Sequence, residues 1–243
     1  MKRTYADLHL CPNVKDIKQT SRFIQKAAEL GYHLVAITFP LNVTEEVEQV
    51  RAACAEAKID LATRVDVKPR TPEELVNCLR RLRRKFEIIS VFCTTKNVAR
   101  QAAKDRRVDL LNFPAVDYHG RFFDMAEAEL ASSSLASLEI DLKPLLTLEG
   151  PTRTKLLSNL RRETATAQAF HVPIIISSGV TDEQLMRRPT ELAVLTSLFD
   201  LNKTLALDAV SKNPVSIVKR NREKLRSGYV VPGVRIVRRG KNC

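Results

Sequence analysis

The stretch Pro173-Ile174-Ile175-Ile176-Ser177-Ser178-Gly179 decides the fold. Three consecutive β-branched isoleucines leave neither face of the segment polar. A strand built from them is buried on both sides, as in a parallel sheet covered by helices. Comparable apolar runs recur upstream at Thr4–Leu10, His33–Phe39, Ile59–Val67, Glu87–Thr94, Arg107–Phe113 and Ser137–Leu142. One more follows downstream at Leu205–Ser211.

Helical segments separate these runs. In Asp16–Leu30, Ile17, Ile24 and Ala28 share a face and Gly31 stops the helix. In Thr44–Ala57, Val47, Val50, Cys54 and Ala57 recur at helical spacing. Thr71-Pro72-Glu73-Glu74 is a capping box with Pro in the first turn, and Thr181 with Gln184 repeats that logic. Asn213-Pro214 opens the last helix. Alternation of eight strands and helices predicts an α/β fold of the TIM-barrel-like (β/α) type, with an open doubly wound sheet as the alternative. The barrel is preferred because the alternation runs unbroken from end to end. It is expected to occupy residues 1–226 as one domain, followed by a basic tail at 227–243.

Of the 243 residues 44% are hydrophobic but only 5% aromatic, so the core rests on Ile, Leu, Val and Ala. No apolar run approaches the roughly 20 residues of a spanning helix, which argues against a membrane protein. The N-terminus lacks a signal-peptide apolar region. Cys11, Cys54, Cys78, Cys93 and Cys243 lie far apart with no metal-type spacing, and an odd count points to a reducing cytoplasm.

Catalytic groups of such barrels sit where strands end. The first strand ends Asp7-Leu8-His9-Leu10-Cys11, which resembles the opening motif of the polymerase-and-histidinol-phosphatase (PHP) metal hydrolases, with Cys11 in place of their second His. The remaining histidines are His33, His119 and His171, and two of them stand before strands, at the wrong end. A multinuclear metal centre cannot be assembled from His9 and His119 alone, so neither a metal site nor a catalytic set is expected. Asp7 and His9 are then a hydrogen-bonded polar pair at the mouth. Ser177-Ser178-Gly179 could turn backbone N–H groups toward a phosphate, or simply make a tight turn.

Charge is the positive signal. Forty Lys and Arg face 28 Asp and Glu, for a net charge of +12. Such a surplus attracts polyanions. Any single cluster reads as a solvated helix face; together they ask for a nucleic-acid partner. The candidate RNA-binding residues are Lys68, Arg70, Lys96, Arg121 and Lys212 in loops after strands, together with Arg106, Arg107, His119, Arg153 and Lys155. No stacking platform is evident, apart from Tyr118 as the one aromatic expected to be exposed. Recognition of RNA backbone and shape therefore fits better than reading of sequence.

Four segments carry a family resemblance: Tyr5-Ala6-Asp7-Leu8-His9, Val108-Asp109-Leu110-Leu111-Asn112-Phe113-Pro114, Val172 to Gly179, and Asn213-Pro214 with Arg220-Asn221. In this order they resemble the RNase P protein component 3 family, the thirty-kilodalton subunit of archaeal and eukaryotic RNase P. Val180 stands where that pattern would have Ala. The resemblance implies a PHP-like TIM barrel within the ribonucleoprotein that removes the 5′ leader of precursor tRNA. It implies catalysis by the RNA, with Mg²⁺ at the RNA and no cofactor on the protein. It also implies RNase P RNA, precursor tRNA, a second small protein subunit and other RNase P proteins as partners. The alternative is a stand-alone PHP-type metal-dependent phosphoesterase.

Overall fold

A computed structural model describes residues 3–41, 45–115, 121, 123–226, 229–231 and 234–235. Seven strands form one sheet in chain order: β1 (Ala6–Leu10), β2 (Leu34–Thr38), β3 (Asp60–Val67), β4 (Ile88–Phe92), β5 (Leu110–Asn112), β6 (Ser137–Asp141) and β7 (Ile174–Ser177). Every pairing is parallel. The sheet curls into a nearly closed TIM-barrel-like fold. At the seam, Leu10 bridges Val180, Cys11 N donates to Val180 O (2.9 Å) and Gly179 N donates to His9 O (3.0 Å).

The helices that cover the outside are α1 (Ile17–Leu30), α2 (Glu45–Glu56), α3 (Pro72–Leu82), α4 (Lys96–Lys104), α5 (Met125–Ser134), α6 (Lys143–Thr147), α7 (Gly150–Ala169), α8 (Pro189–Leu195) and α9 (Lys203–Ala209). Their ends follow the expected chemistry. Asp16 caps α1 and Gly31 ends it at φ 90°; Thr71 accepts from Glu74 N to open α3. The 181–184 cap falls on Asp182, not Thr181, and opens a short 3-10 turn.

The expected eighth strand, Leu205–Ser211, is instead helix α9. Asn202 caps it by accepting from Leu205 N (2.9 Å). Leu205, Ala206, Ala209 and Val210 form a helical stripe that a short apolar run disguises as a strand. The chain then enters α10 (Lys212–Leu225), which lies across the end of the barrel where the strands begin. Ile217 and Val218 of α10 join Ala6, Leu8, Leu34, Ala36, Ala62, Ile88, Leu110 and Ile175 in an apolar cluster of their own. This helix therefore plugs the barrel from below. Beyond it, Tyr229–Val231 and Val234–Arg235 form a small antiparallel ladder, β8 and β9.

Candidate functional site

Above the apolar plug, the inward positions of the strands turn polar. Arg64 of β3 and Glu139 of β6 are both fully buried and meet fork to fork at 2.6 and 2.7 Å. Glu139 also accepts from Ser90 Oγ (3.2 Å), Asn112 Nδ2 (3.0 Å) and Ser177 Oγ (2.8 Å). Arg64 spends its other donors on Leu8 O (2.7 Å) and Asp66 Oδ1 (2.7 Å). One ion pair thus ties together β1, β3, β4, β5, β6 and β7. Burial of this kind is tolerated only because nearly every donor and acceptor is satisfied.

His9 forms the next layer. Its Nδ1 lies 2.7 Å from Asp141 Oδ1 and its Nε2 lies 3.2 Å from Asp66 Oδ2. Burial and Arg64 both push the imidazole toward neutrality, but the two carboxylates outweigh them and hold its pKa well above the usual value. Asp141 and Asp66 move the opposite way: burial would raise them, and the cations His9 and Arg64 bring both below the ordinary range. Thr38 and Asn112 supply further hydrogen bonds to these carboxylates. At the rim, Lys68 Nζ sits 4.5 Å over the Phe92 ring.

Asp7 does not pair with the His9 ring. Its Oδ1 accepts from the backbone N–H of His9 (3.0 Å) and of Ser178 (3.1 Å), clipping β1 to the end of β7. Its Oδ2 is buried and has no hydrogen-bond partner among the described residues, and burial raises the carboxyl's pKa to about 6. The phosphate reading of Ser177-Ser178-Gly179 fails here: the N–H groups of Ser178 and Gly179 serve Asp7 and His9. Gly179 is required at φ 65°, since a Cβ would stand 2.7 Å from Asp141 Cβ and Cγ.

Two donor groups could in principle hold an ion among the described residues: His9, Cys11 and Asp66, and His9, Glu139 and Asp141. They do not fit the metal centre that a PHP-like barrel implies. Both draw on His9, whose ring is held between two carboxylates. Arg64 already places a permanent cation against Asp66 and Glu139. A divalent ion would have to displace that guanidinium or sit beside it.

The residues expected to meet RNA do not form one site. Lys68, Arg70, Lys96, Arg153 and Lys155 lie toward the mouth, where β3, β4 and β6 lead into α3, α4 and α7. Arg106 and Arg107 precede β5 at the opposite end, and Arg107 is paired with Asp105 (2.6 Å). Lys212 also lies at that end, because the segment before it is α9 and not a strand. Arg121 is buried, not a free loop cation: Glu163 grips its guanidinium, and the carbonyls of Phe113 and Pro114 accept from it. His119 and Tyr118 lie outside the described residues, as do Thr44 and most of the 227–243 tail. Arg64 and Glu139 were missed. The signal was present: a charge interrupts each of two otherwise buried strands, Leu61-Ala62-Thr63-Arg64-Val65 and Ser137-Leu138-Glu139-Ile140.

Fold and site together define a TIM-barrel-like protein whose interior is closed by its own ion pairs. The family described as RNase P subunit p30 matches residues 4–226, and the chain belongs to that family. Ribonuclease P protein component 3 of Methanosarcina barkeri is 27% identical over 215 residues, 88% of this chain and 87% of the relative. The namesake from Methanococcoides burtonii is 25% identical, covering 97% of this chain and 95% of the relative. Among solved structures, a chain of the cryo-EM structure of archaeal Ribonuclease P with mature tRNA superposes with a TM-score of 0.83 at 22% identity. It covers 98% of this chain and 100% of that one. A. niger ochratoxinase shares the fold at a TM-score of 0.59 and 12% identity, covering 88% of this chain and 71% of its own.

Proposed function

We propose that this chain is the RNase P subunit that supports the catalytic RNA during 5′-leader removal from precursor tRNA. It does so by neutralising and organising RNA phosphates. The observation that carries the reading is the family match over residues 4–226, joined to a net charge of +12 and a barrel whose mouth holds its own cations. Phosphates at a folded RNA core repel one another. Basic side chains on a rigid scaffold offset that repulsion and release condensed counterions. The protein binds no cofactor in this reading, and Mg²⁺ belongs to the RNA. Its partners are RNase P RNA, precursor tRNA, a second small protein subunit and other RNase P proteins, in an archaeal cytoplasm. No described helix is long and apolar enough to cross a membrane.

Purification from native cells, with sequencing of the bound RNA and elemental analysis of the protein, tests this directly. The expected result is a single enriched RNA that, with the co-purified proteins, cleaves precursor tRNA, and no stoichiometric metal once the RNA is removed. Tightly held divalent metal with phosphoester hydrolysis by the protein alone would contradict it.

A further inference from the structure

The surplus charge is not spread evenly over the barrel. Three segments, 80–87, 104–109 and 219–226, hold thirteen basic and four acidic residues between them. The first two are turns leading into β4 and β5, and the third is the second half of α10, so all belong to the plugged end. Side-chain bonds bring them together. Arg83 donates to Asp109 (2.5 Å) and to Arg107 O (3.1 Å), Arg220 donates to Asp109 (3.2 Å), and Arg222 donates to Glu87 (2.5 Å). Three of the four acids are consumed internally, in ion pairs of Asp105, Asp109 and Glu87. The basic side chains left over face solvent: Arg84, Lys85, Lys104, Arg106, Lys219 and Arg226 are exposed and, among the described residues, make no ion pair.

The mouth is different. Its fully described loops with the helix starts they lead into, 11–18, 68–74, 93–96, 142–155 and 178–191, hold ten basic and seven acidic residues, a far smaller surplus spread over more chain. Asp66 and Asp141 at the opening are paired with His9 and Arg64 and leave no basic surplus there.

We propose that the plugged end of the barrel, around α10 and the turns before β4 and β5, is the surface that docks the phosphate backbone of a folded RNA. The proposal rests on the RNase P reading and adds which face of the subunit turns to the nucleic acid. A polyanion is the occupant that fits. It would relieve the crowding of Arg83, Arg106, Arg220 and Lys224 about the single carboxylate Asp109. That crowding, after burial, holds the Lys224 ammonium below its usual pKa. Arginine forks suit phosphate oxygens in pairs, and no aromatic platform is needed for backbone contacts.

The test uses the full chain, its protein partners and RNase P RNA as the probe. The triple variant Arg84→Gln, Arg106→Gln, Lys219→Gln removes exposed charge from the plugged end. The triple variant Lys15→Gln, Lys18→Gln, Arg188→Gln removes as much from the mouth end. All six side chains are exposed, and circular dichroism checks that both variants fold. The plugged-end triple should weaken RNA binding by about tenfold or more near physiological salt and flatten the salt dependence by roughly two charges. The mouth triple should stay within about twofold of the wild type. Equal losses, a larger loss from the mouth triple, or an unaffected plugged-end triple would overturn the assignment of the face. So would loss of a protein partner with RNA binding intact, which would make this end a protein interface. A wild-type protein that leaves the RNA unbound would instead defeat the RNase P reading itself.

Discussion

At the scale of single residues, the arginine inside the barrel is the feature that most separates this chain from a metal enzyme of the same shape. Replacing Arg64 with Met leaves Glu139 as an uncompensated buried charge, which costs about 3–5 kcal/mol. Changing both Arg64 and Glu139 to Met should cost much less than the sum of the single changes, and urea titration of the four proteins measures the coupling. Asp7 offers a second test through pH. Its carboxyl titrates at about 6 in the fold against 3.8 unfolded, so the folded state binds the proton more tightly. Stability therefore falls as pH rises from about 4 to 6 and stays lower above. In Asp7→Asn that loss, at most about 3 kcal/mol, should be absent, and the difference between the two proteins across this pH range reads it. Little of this layer was legible in the sequence. His9 and Asp7 announced themselves by their motif, but their partners Asp66, Asp141 and Ser178 are brought up by other strands. Arg121 misled for the same reason: Glu163, which neutralises it, lies 42 residues away.

At the scale of elements, seven strands were legible because several are nearly continuous apolar runs, Ile174-Ile175-Ile176 above all, and helical segments alternate with them. The eighth was not, because a run of seven residues carries too few turns to separate a helical stripe from a strand. Asn202, three residues ahead of Leu205, was the overlooked cap. That error also moved Lys212 to the wrong end of the barrel. Helix α10 gives a physical meaning to three of the resemblance segments. Asn213 Nδ2 donates to Ile174 O (3.0 Å), while Asn221 Nδ2 donates to Glu87 O and Asp109 Oδ1 (2.8 Å each). These residues fasten the plug to the start of β7, β4 and β5. Asn221→Ala should cost about 1–2 kcal/mol, because two buried hydrogen bonds are lost while Arg83 and Arg220 still serve the two acceptors. Faster hydrogen exchange in α10 than in β4 would locate the damage at the plug, whereas a uniform loss of protection would not.

At the scale of the whole molecule, charge and closure work together. A barrel sealed below by α10 and tied across its middle by Arg64 and Glu139 is a braced scaffold, and in a chain of net charge +12 it holds the described basic turns in fixed places. Net charge was readable from composition, but its placement was not, because only the fold sorts the basic turns before β4 and β5 away from the less basic mouth. In the proposed function this scaffold acts on RNA phosphates and not on a substrate of its own. Cleavage of precursor tRNA by RNase P RNA and its other protein subunits, titrated against Mg²⁺ with and without this chain, measures that most directly. Adding the chain should lower the Mg²⁺ concentration for half-maximal cleavage severalfold; an unchanged Mg²⁺ requirement in the presence of all partner subunits would contradict the proposed function.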